Sequence, residues 1–354
     1  MRCLAALAAA GLAAVGASSA TAAAPRSADS VTLTLVVYDS FPREGTSLNE
    51  ALDRFTDDTG IGVDVLVAGD AGTMVSKAVL TAGNPEGDVM FGVDDTNLSR
   101  AVAGGVFEPY TADGIDAVSD ELRRLVPDDM VTPVDFGDVC VNYDIDWFDE
   151  QGLAPPTTFE QLLDPEYEGL LVVPNPASSS PGLAFLLATI AHSGEDGWAE
   201  YWRALDDNDV TVVDGWTEAY YEQFTGSGGS PHPLVVSYGS SPPAEVIFAD
   251  PPVDEPRTAI VESTCFRQVE FAGVLRGTDH ADEAGQLVDF LISPAFQAEI
   301  PLNLFVYPAN SDVELPGVFT DFAVVPDEPL TLDPAVVAEH REGWIEEWTD
   351  IVLR

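Results

Sequence analysis

The residues best suited to chemistry lie in six short segments: VYDSF at 37–41, GDAGT at 69–73, PASSSPGL at 176–183, DGWTEAYYEQF at 214–224, SYGSSPP at 237–243 and NLFVYP at 303–308. Four of them combine aromatic rings with small or hydroxyl side chains, and the other two are small and polar. Rings offer stacking faces to a flat or cationic group, while hydroxyls and backbone amides fix its polar edges. That is the chemistry of binding, not of bond breaking. Any single aromatic could equally be core packing, and it is their repeated placement after strand-like runs that favours a site. The run Ser178-Ser179-Ser180 ahead of Pro181-Gly182 suits the N-terminus of a helix. Free amides and hydroxyls there would receive an anion such as phosphate, with a plain helix cap as the alternative.

Catalytic patterns are missing from the sequence. It holds no Gly-rich phosphate loop ending in Lys-Ser/Thr, no His-Glu-x-x-His and no Gly-x-Ser-x-Gly. His192, His232, His280 and His340 are isolated from one another and read as surface or packing residues. Asp94-Asp95 could hold a cation but reads as a solvated loop or a helix-capping pair. No catalytic residue, metal ligand or cofactor is expected.

The elements that must position these loops alternate. VTLTLVVY at 31–38 has strand composition, and Ser47-Leu-Asn-Glu50 reads as a capping box opening a helix. Leu48, Leu52 and Phe55 share a face of that helix, and Gly60 stops it. Next come IGVDVLVAG, a helix near Thr73–Leu80 and DVMFGV; then CVNYD, GLLVVPNP, the apolar helix PGLAFLLATIAHSG, VTVVDGW and PLVVSYG. EFAGVLRG reads as a strand returning to the first half, succeeded by a helix through Gln286–Ile292 and one capped by Ser293-Pro294. Val337, Trp344, Trp348 and Ile351 form one stripe of a C-terminal helix docked on the body. Such alternation predicts an α/β fold with an open, largely parallel sheet covered on both faces, its ligand loops at the carboxyl ends of strands.

Composition narrows the function classes. The first 24 residues read as a signal peptide, with Arg2, an apolar stretch and a small-residue tail, and this implies export. With 46% apolar content, 354 residues are ample for two lobes. The net charge of −47, with Lys77 the single lysine, excludes nucleic acid and anionic membranes as partners. The acids are scattered along the whole chain, so they read as a solvated coat suited to salt rather than a local field for a cationic ligand. Cys140 and Cys265 remain after signal removal, and an even count in an oxidising compartment predicts a disulfide. Two separate buried thiols are the alternative, because spacing alone does not bring them together.

The segments YDSF, GVDD, VDFGDVCVNYD, PASSSPGL, VTVVDGWTEAY, VSYGSSP, ISPAFQAEIP and EHREGWIEEW add one more clue. In this order and spacing, from about Val31 to the end, the chain resembles the periplasmic thiamine-binding proteins of ABC importers, a group allied to iron and polyamine binders. The resemblance implies the type II periplasmic-binding-protein fold, two α/β lobes joined by crossover strands with a ligand cleft between them. It divides the chain into a first lobe at 31–135, a second at 136–260, a return at 261–310 and a C-terminal segment at 311–354 with its docked helix. By the same resemblance the ligand contacts are Ala71, Gly72, Ser179, Ser180, Trp216 and the run Tyr238, Gly239, Ser240, Ser241, with Tyr38 and Phe305 at aromatic sites. Trp216 and Tyr238 would face a positive thiazolium ring, and the serine run would receive phosphate.

The family's acidic residue is displaced here, with Ala71 in its place and Asp70 one position earlier. A family tyrosine after SYGSSP gives way to Ala244 or Glu245, and Phe305 stands where tryptophan is common. The implied partners are thiamine, thiamine monophosphate or thiamine diphosphate and a membrane permease. The protein would be a monomer, periplasmic or associated with the cell surface. Two other readings stay open. Tyr220-Tyr221 resembles the tyrosine pair of ferric-ion binders, and a secreted thiamine-processing enzyme would need a nucleophile, for which Cys140 is the candidate.

Overall fold

In the computed structural model, residues 31–354 are described, so the expected signal peptide at 1–24 lies outside the described residues. Nine strands form one sheet among them: β1 (Thr32–Val37), β2 (Gly62–Val67), β3 (Val89–Asp94), β4 (Thr132–Asp144), β5 (Leu171–Pro174), β6 (Thr211–Val213), β7 (Leu234–Tyr238), β8 (Thr258–Val274) and β9 (Tyr307–Pro308). The spatial order is β2-β1-β3-β8-β4-β7-β5-β6, with β9 beside β4. β1 pairs in parallel with β2 and β3 at one end, and β5 with β6 and β7 at the other. The middle is antiparallel, where β4 and β8 pair with each other and with their neighbours. The expected largely parallel sheet is therefore corrected. Two long strands, of 13 and 17 residues, cross from one half to the other in opposite directions, and each runs antiparallel to its neighbours. The boundaries expected at 135/136 and 260/261 fall inside these two strands.

Each half has its own core. Leu33, Leu35, Val37, Leu48, Phe55, Phe91 and Leu287 close one side of the first, and Met74, Val75, Leu98, Phe107 and Phe271 fill another. Val173, Phe185, Leu186, Trp198, Trp202 and Val236 build the second. The helix Ser180–Ser193 is buried from Ser180 to Ile190, as an all-apolar sequence requires. The first helix runs Ser47–Thr59, but Thr46, not Ser47, caps it, in a reciprocal box with Asn49. Gly60 ends it in the left-handed conformation. The helix Pro334–Val352 buries Val337, Trp344 and Trp348 against the second core, with Trp348 edge-on to Trp202 at 5.5 Å. Its buried Arg341 donates to Asn97 Oδ1 at 2.7 Å, so this helix touches both halves.

The expected disulfide is present. Cys140 and Cys265 join β4 to β8 with their Cα atoms 4.2 Å apart, at the irregularity in the β4–β8 ladder between Val139 and Val141.

Candidate functional site

The carboxyl ends of the two parallel strand sets face one another, and a cavity of about 260 Å³ opens between them. Tyr38 comes after β1, Asp70 after β2, Ser180 after β5 and Trp216 after β6, while Tyr238 ends β7. Parallel strands deliver their loops to one edge, so five segments distant in sequence converge. Phe248, Phe305, Tyr220 and Tyr221 complete the aromatic lining. Asp39 and Glu270 join Asp70 as its acids, and among the described residues no Lys, Arg or His lines it.

Trp216 is the most elaborately held ring. Its indole Nε1 donates to Ser237 Oγ at 2.9 Å, and Tyr220 stacks on it at 5.0 Å with 17° between planes. Tyr221 meets its edge at 5.5 Å, and Tyr238 stands 6.5 Å away. The stack on Tyr220 occupies one indole face, and the ring lines the cavity. Phe305 lies against Phe248 at 5.7 Å and takes a left-handed φ of 55°, held where Ser240 Oγ donates to its carbonyl at 2.6 Å.

Asp70 ties the two sides of the cleft together. It caps the helix Ala71–Leu80 by accepting from Ala71 N at 2.6 Å, and its other oxygen accepts from Trp216 N at 3.2 Å. Beside it Thr73 N donates to Ser178 O at 3.3 Å. Burial, then the charge of Asp39, push the Asp70 carboxyl up to about 6, against the amides of Trp216 and Ala71 and the nearby Ser179 hydroxyl, which pull it down. Ser179 and Ser180 head the helix Ser180–Ser193 with buried hydroxyls, that of Ser179 beside Asp70 and that of Ser180 without a protein partner. Ser179 is the capping residue by position, yet its side chain makes no capping bond, so the alternative of a plain cap fails.

Of the twelve expected contacts, Tyr38, Asp70, Ala71, Ser180, Trp216, Tyr238, Ser241 and Phe305 line the cavity. Four do not. Gly72 lies where an added Cβ would stand 2.6 Å from Ser178 O, so it lets two backbones meet instead of touching a ligand. Gly239 packs in the same way against Val324 O at 2.7 Å. Ser240 is buried and spent on Phe305, and Ser179 stands just behind the surface beside Asp70. At the position of the displaced family tyrosine it is Ala244 that faces the cavity, while Glu245 turns away to accept from Tyr220 OH at 2.7 Å. The Asp94-Asp95 pair is the capping pair, not a solvated loop. Asp94 is fully buried and accepts from Asn97 N, and Asp95 accepts from Val269 N.

Glu270 was not foreseen. It is the first residue of EFAGVLRG, and a charge inside an apolar strand was the available signal. Phe248 gave none, because only the fold returns it to the cleft.

Residues 85–328 match the family described as bacterial extracellular solute-binding protein. The chain belongs to this family. Among relatives, this solute-binding protein is 28% identical to the thiamine-binding periplasmic protein of Brucella suis over 92% of its own length and 93% of that protein. A solved periplasmic thiamin binding protein is similar at 27% identity, with a TM-score of 0.78 and coverage of 91% and 96%. Iron-bound HitA from Pseudomonas aeruginosa shares the fold at 19% identity and a TM-score of 0.70, covering 91% and 99%. The solute-binding protein thus has the type II periplasmic-binding-protein fold.

The geometry also bears on the two other readings. Burial, then Glu245, hold the Tyr220 phenol well above its ordinary pKa, and burial raises Tyr221 as well. A phenolate pair for ferric iron would have to ionise against these acids, and Tyr220 is a core ring stacked on Trp216. Cys140, the candidate nucleophile of an enzyme, is bound to Cys265. Among the described residues no helix is long and apolar enough to cross a membrane.

Proposed function

We propose that this chain captures thiamine outside the cytoplasm and delivers it to the permease of an ABC importer. One observation carries the reading: the cleft gathers Tyr38, Trp216, Tyr221, Tyr238, Phe248 and Phe305 beside Asp70 and Glu270, with no basic side chain among its described lining. Ring faces and carboxylates together suit a flat aromatic ligand bearing a fixed positive charge. The names of the relatives support the same ligand.

The thiazolium ring takes the open face of Trp216, and the hydroxyethyl end points toward the N-terminus of the helix Ser180–Ser193. That terminus, with Ser180 at the cavity wall, accommodates one phosphate. A second phosphate would find only Asp39 and Asp70, so the expected affinity order is thiamine and its monophosphate above the diphosphate. Lobe 31–135 with its return at 261–310 closes on lobe 136–260 by bending at β4 and β8, and the closed monomer is the form the permease accepts. The protein works in the periplasm or at the cell surface.

Calorimetry with the three compounds tests this. Thiamine binding with the diphosphate weakest by at least about tenfold, or about 1.4 kcal/mol, supports the reading. Absence of thiamine binding, or a visible absorption band on adding ferric iron, refutes it.

A further inference from the structure

Three carboxyls stand in a row across the sheet at the cleft floor. Asp94 of β3 is the register partner of Glu270 on β8, and Glu270 is the register partner of Asp135 on β4. Like charges directly opposite one another in a ladder are destabilising, so the arrangement needs a reason. Asp94 has a local one, since it caps the helix Asp95–Ala103 and also accepts from Thr96 Oγ1 and Gln268 Nε2. The other two have none. Asp135 is fully buried and neither of its carboxyl oxygens has a donor. Glu270 is 8% exposed, lines the cavity, and its Oε2 is buried without a partner.

The groups that face this pair are all acidic or phenolic. Tyr38 comes from the end of β1 and Tyr238 from the end of β7, with Asp70 and Asp94 within electrostatic range of Tyr238. Arg341 on the C-terminal helix acts on Asp94 and reaches it through Asn97. Two facing carboxylates with no donor between them and no cation beside them cannot both be anionic, so they share a proton until a cation arrives. Burial pushes Asp135 up to about 8, and burial with the charges of Asp135 and Asp94 holds Glu270 well above the carboxylate range. The phenols stay neutral, because burial and these same acids raise them further.

We propose that Glu270, with Asp135 behind it, is the counter-charge of the cleft, meeting the positive ring of the bound ligand as one proton leaves the pair for solvent. An O–H bond of the shared carboxyl breaks, the proton passes to buffer, and the electron pair stays on the carboxylate that faces the cation. Tyr38 supplies a hydroxyl to that carboxylate. The pair thereby selects for fixed cations, since a neutral ring of the same shape offers nothing to offset the ionisation. This inference rests on the thiamine reading and names the residue that meets the ligand's charge.

Titration of thiamine into the mature protein by calorimetry, at pH 7.5 in two buffers of different ionisation heat, counts the protons. Asp70 is already ionised there, whereas Asp95, pushed up to about 8 by burial and then Asp94, also titrates in this range, so the variants below assign the proton to the pair. The expected result is release of roughly half to one proton per thiamine, with affinity rising from pH 6.5 to 8 by up to about tenfold per unit. Glu270→Gln is expected to weaken thiamine at least about tenfold and to abolish the release. Asp135→Asn turns a competing carboxyl into an amide that donates to Glu270. It is expected to keep or improve the affinity while losing most of the release. Both changes relieve repulsion, so neither protein should melt below wild type at pH 8. Thiamine binding without proton release, or equal losses of affinity in both variants, overturns the proposal and leaves thiamine as the ligand. No thiamine binding by calorimetry or tryptophan fluorescence overturns the ligand reading and this inference with it.

Discussion

The Asp70→Asn variant separates the two tasks of one carboxyl. In the wild type Oδ1 caps the helix Ala71–Leu80, and Oδ2 accepts from the Trp216 amide across the cleft at 3.2 Å. Asparagine keeps an oxygen for the cap but places an NH₂ where Trp216 N must donate. The cap survives and the bridge is lost. A hydrogen bond to a charged acceptor is worth about 1.5–3 kcal/mol, and this one joins the two sides of the cleft that are proposed to close on the ligand. Thiamine affinity at pH 7.5 should therefore fall by roughly 10- to 150-fold in calorimetry.

Stability should move the other way. The Asp70 carboxyl is held at about 6 instead of 3.8, so the folded state binds more protons than the unfolded state between these values. Wild-type stability accordingly falls as pH rises through that window, by about 3 kcal/mol for a shift of about two units. The variant lacks this fall. Its melting temperature relative to wild type should be higher at pH 7.5 than at pH 4.5. Wild-type affinity in Asp70→Asn would refute the bridge, and an unchanged melting difference between the two pH values would refute the burial argument.

The same geometry sets other outcomes. Trp216→Ala removes the exposed indole face and the support of Tyr220, and should weaken thiamine by at least the roughly 0.5–2 kcal/mol of a cation–π contact, read by calorimetry. Ser180→Ala should weaken thiamine monophosphate several-fold more than thiamine, because Ser180 lines the cavity at the helix N-terminus and only the ester would use its hydroxyl; equal losses would move the phosphate elsewhere. The Cys140–Cys265 bond closes a separation of 125 residues, so its reduction should cost about 4–5 kcal/mol in denaturant titration. Thiol titration of the unfolded, unreduced mature protein should find no free sulfhydryl.

Much of the site was visible in the sequence because strand and loop composition are local. A run such as VTLTLVVY reads as a strand wherever it folds, and the loop after a parallel strand lies at the edge where ligands bind. Tyr38, Asp70, Ser180, Trp216 and Tyr238 were legible for that reason. Gly72, Gly239 and Ser240 lie off the cavity lining because neighbours in a loop point in different directions, and only packing decides which face the cavity. The capping box slipped by one residue, from Ser47 to Thr46, since both hydroxyls suit the position and the turn geometry chooses between them.

What the sequence alone determined was the alternation of strands and helices, the docked tryptophan stripe and the acidic, aromatic character of the binding loops, all carried by residues near one another in the chain. Tertiary structure alone decided the antiparallel middle of the sheet and the row Asp94, Glu270 and Asp135. These depend on register between strands that lie far apart in sequence. A one-residue slip turns a side chain to the opposite face of a sheet, and composition does not encode that choice.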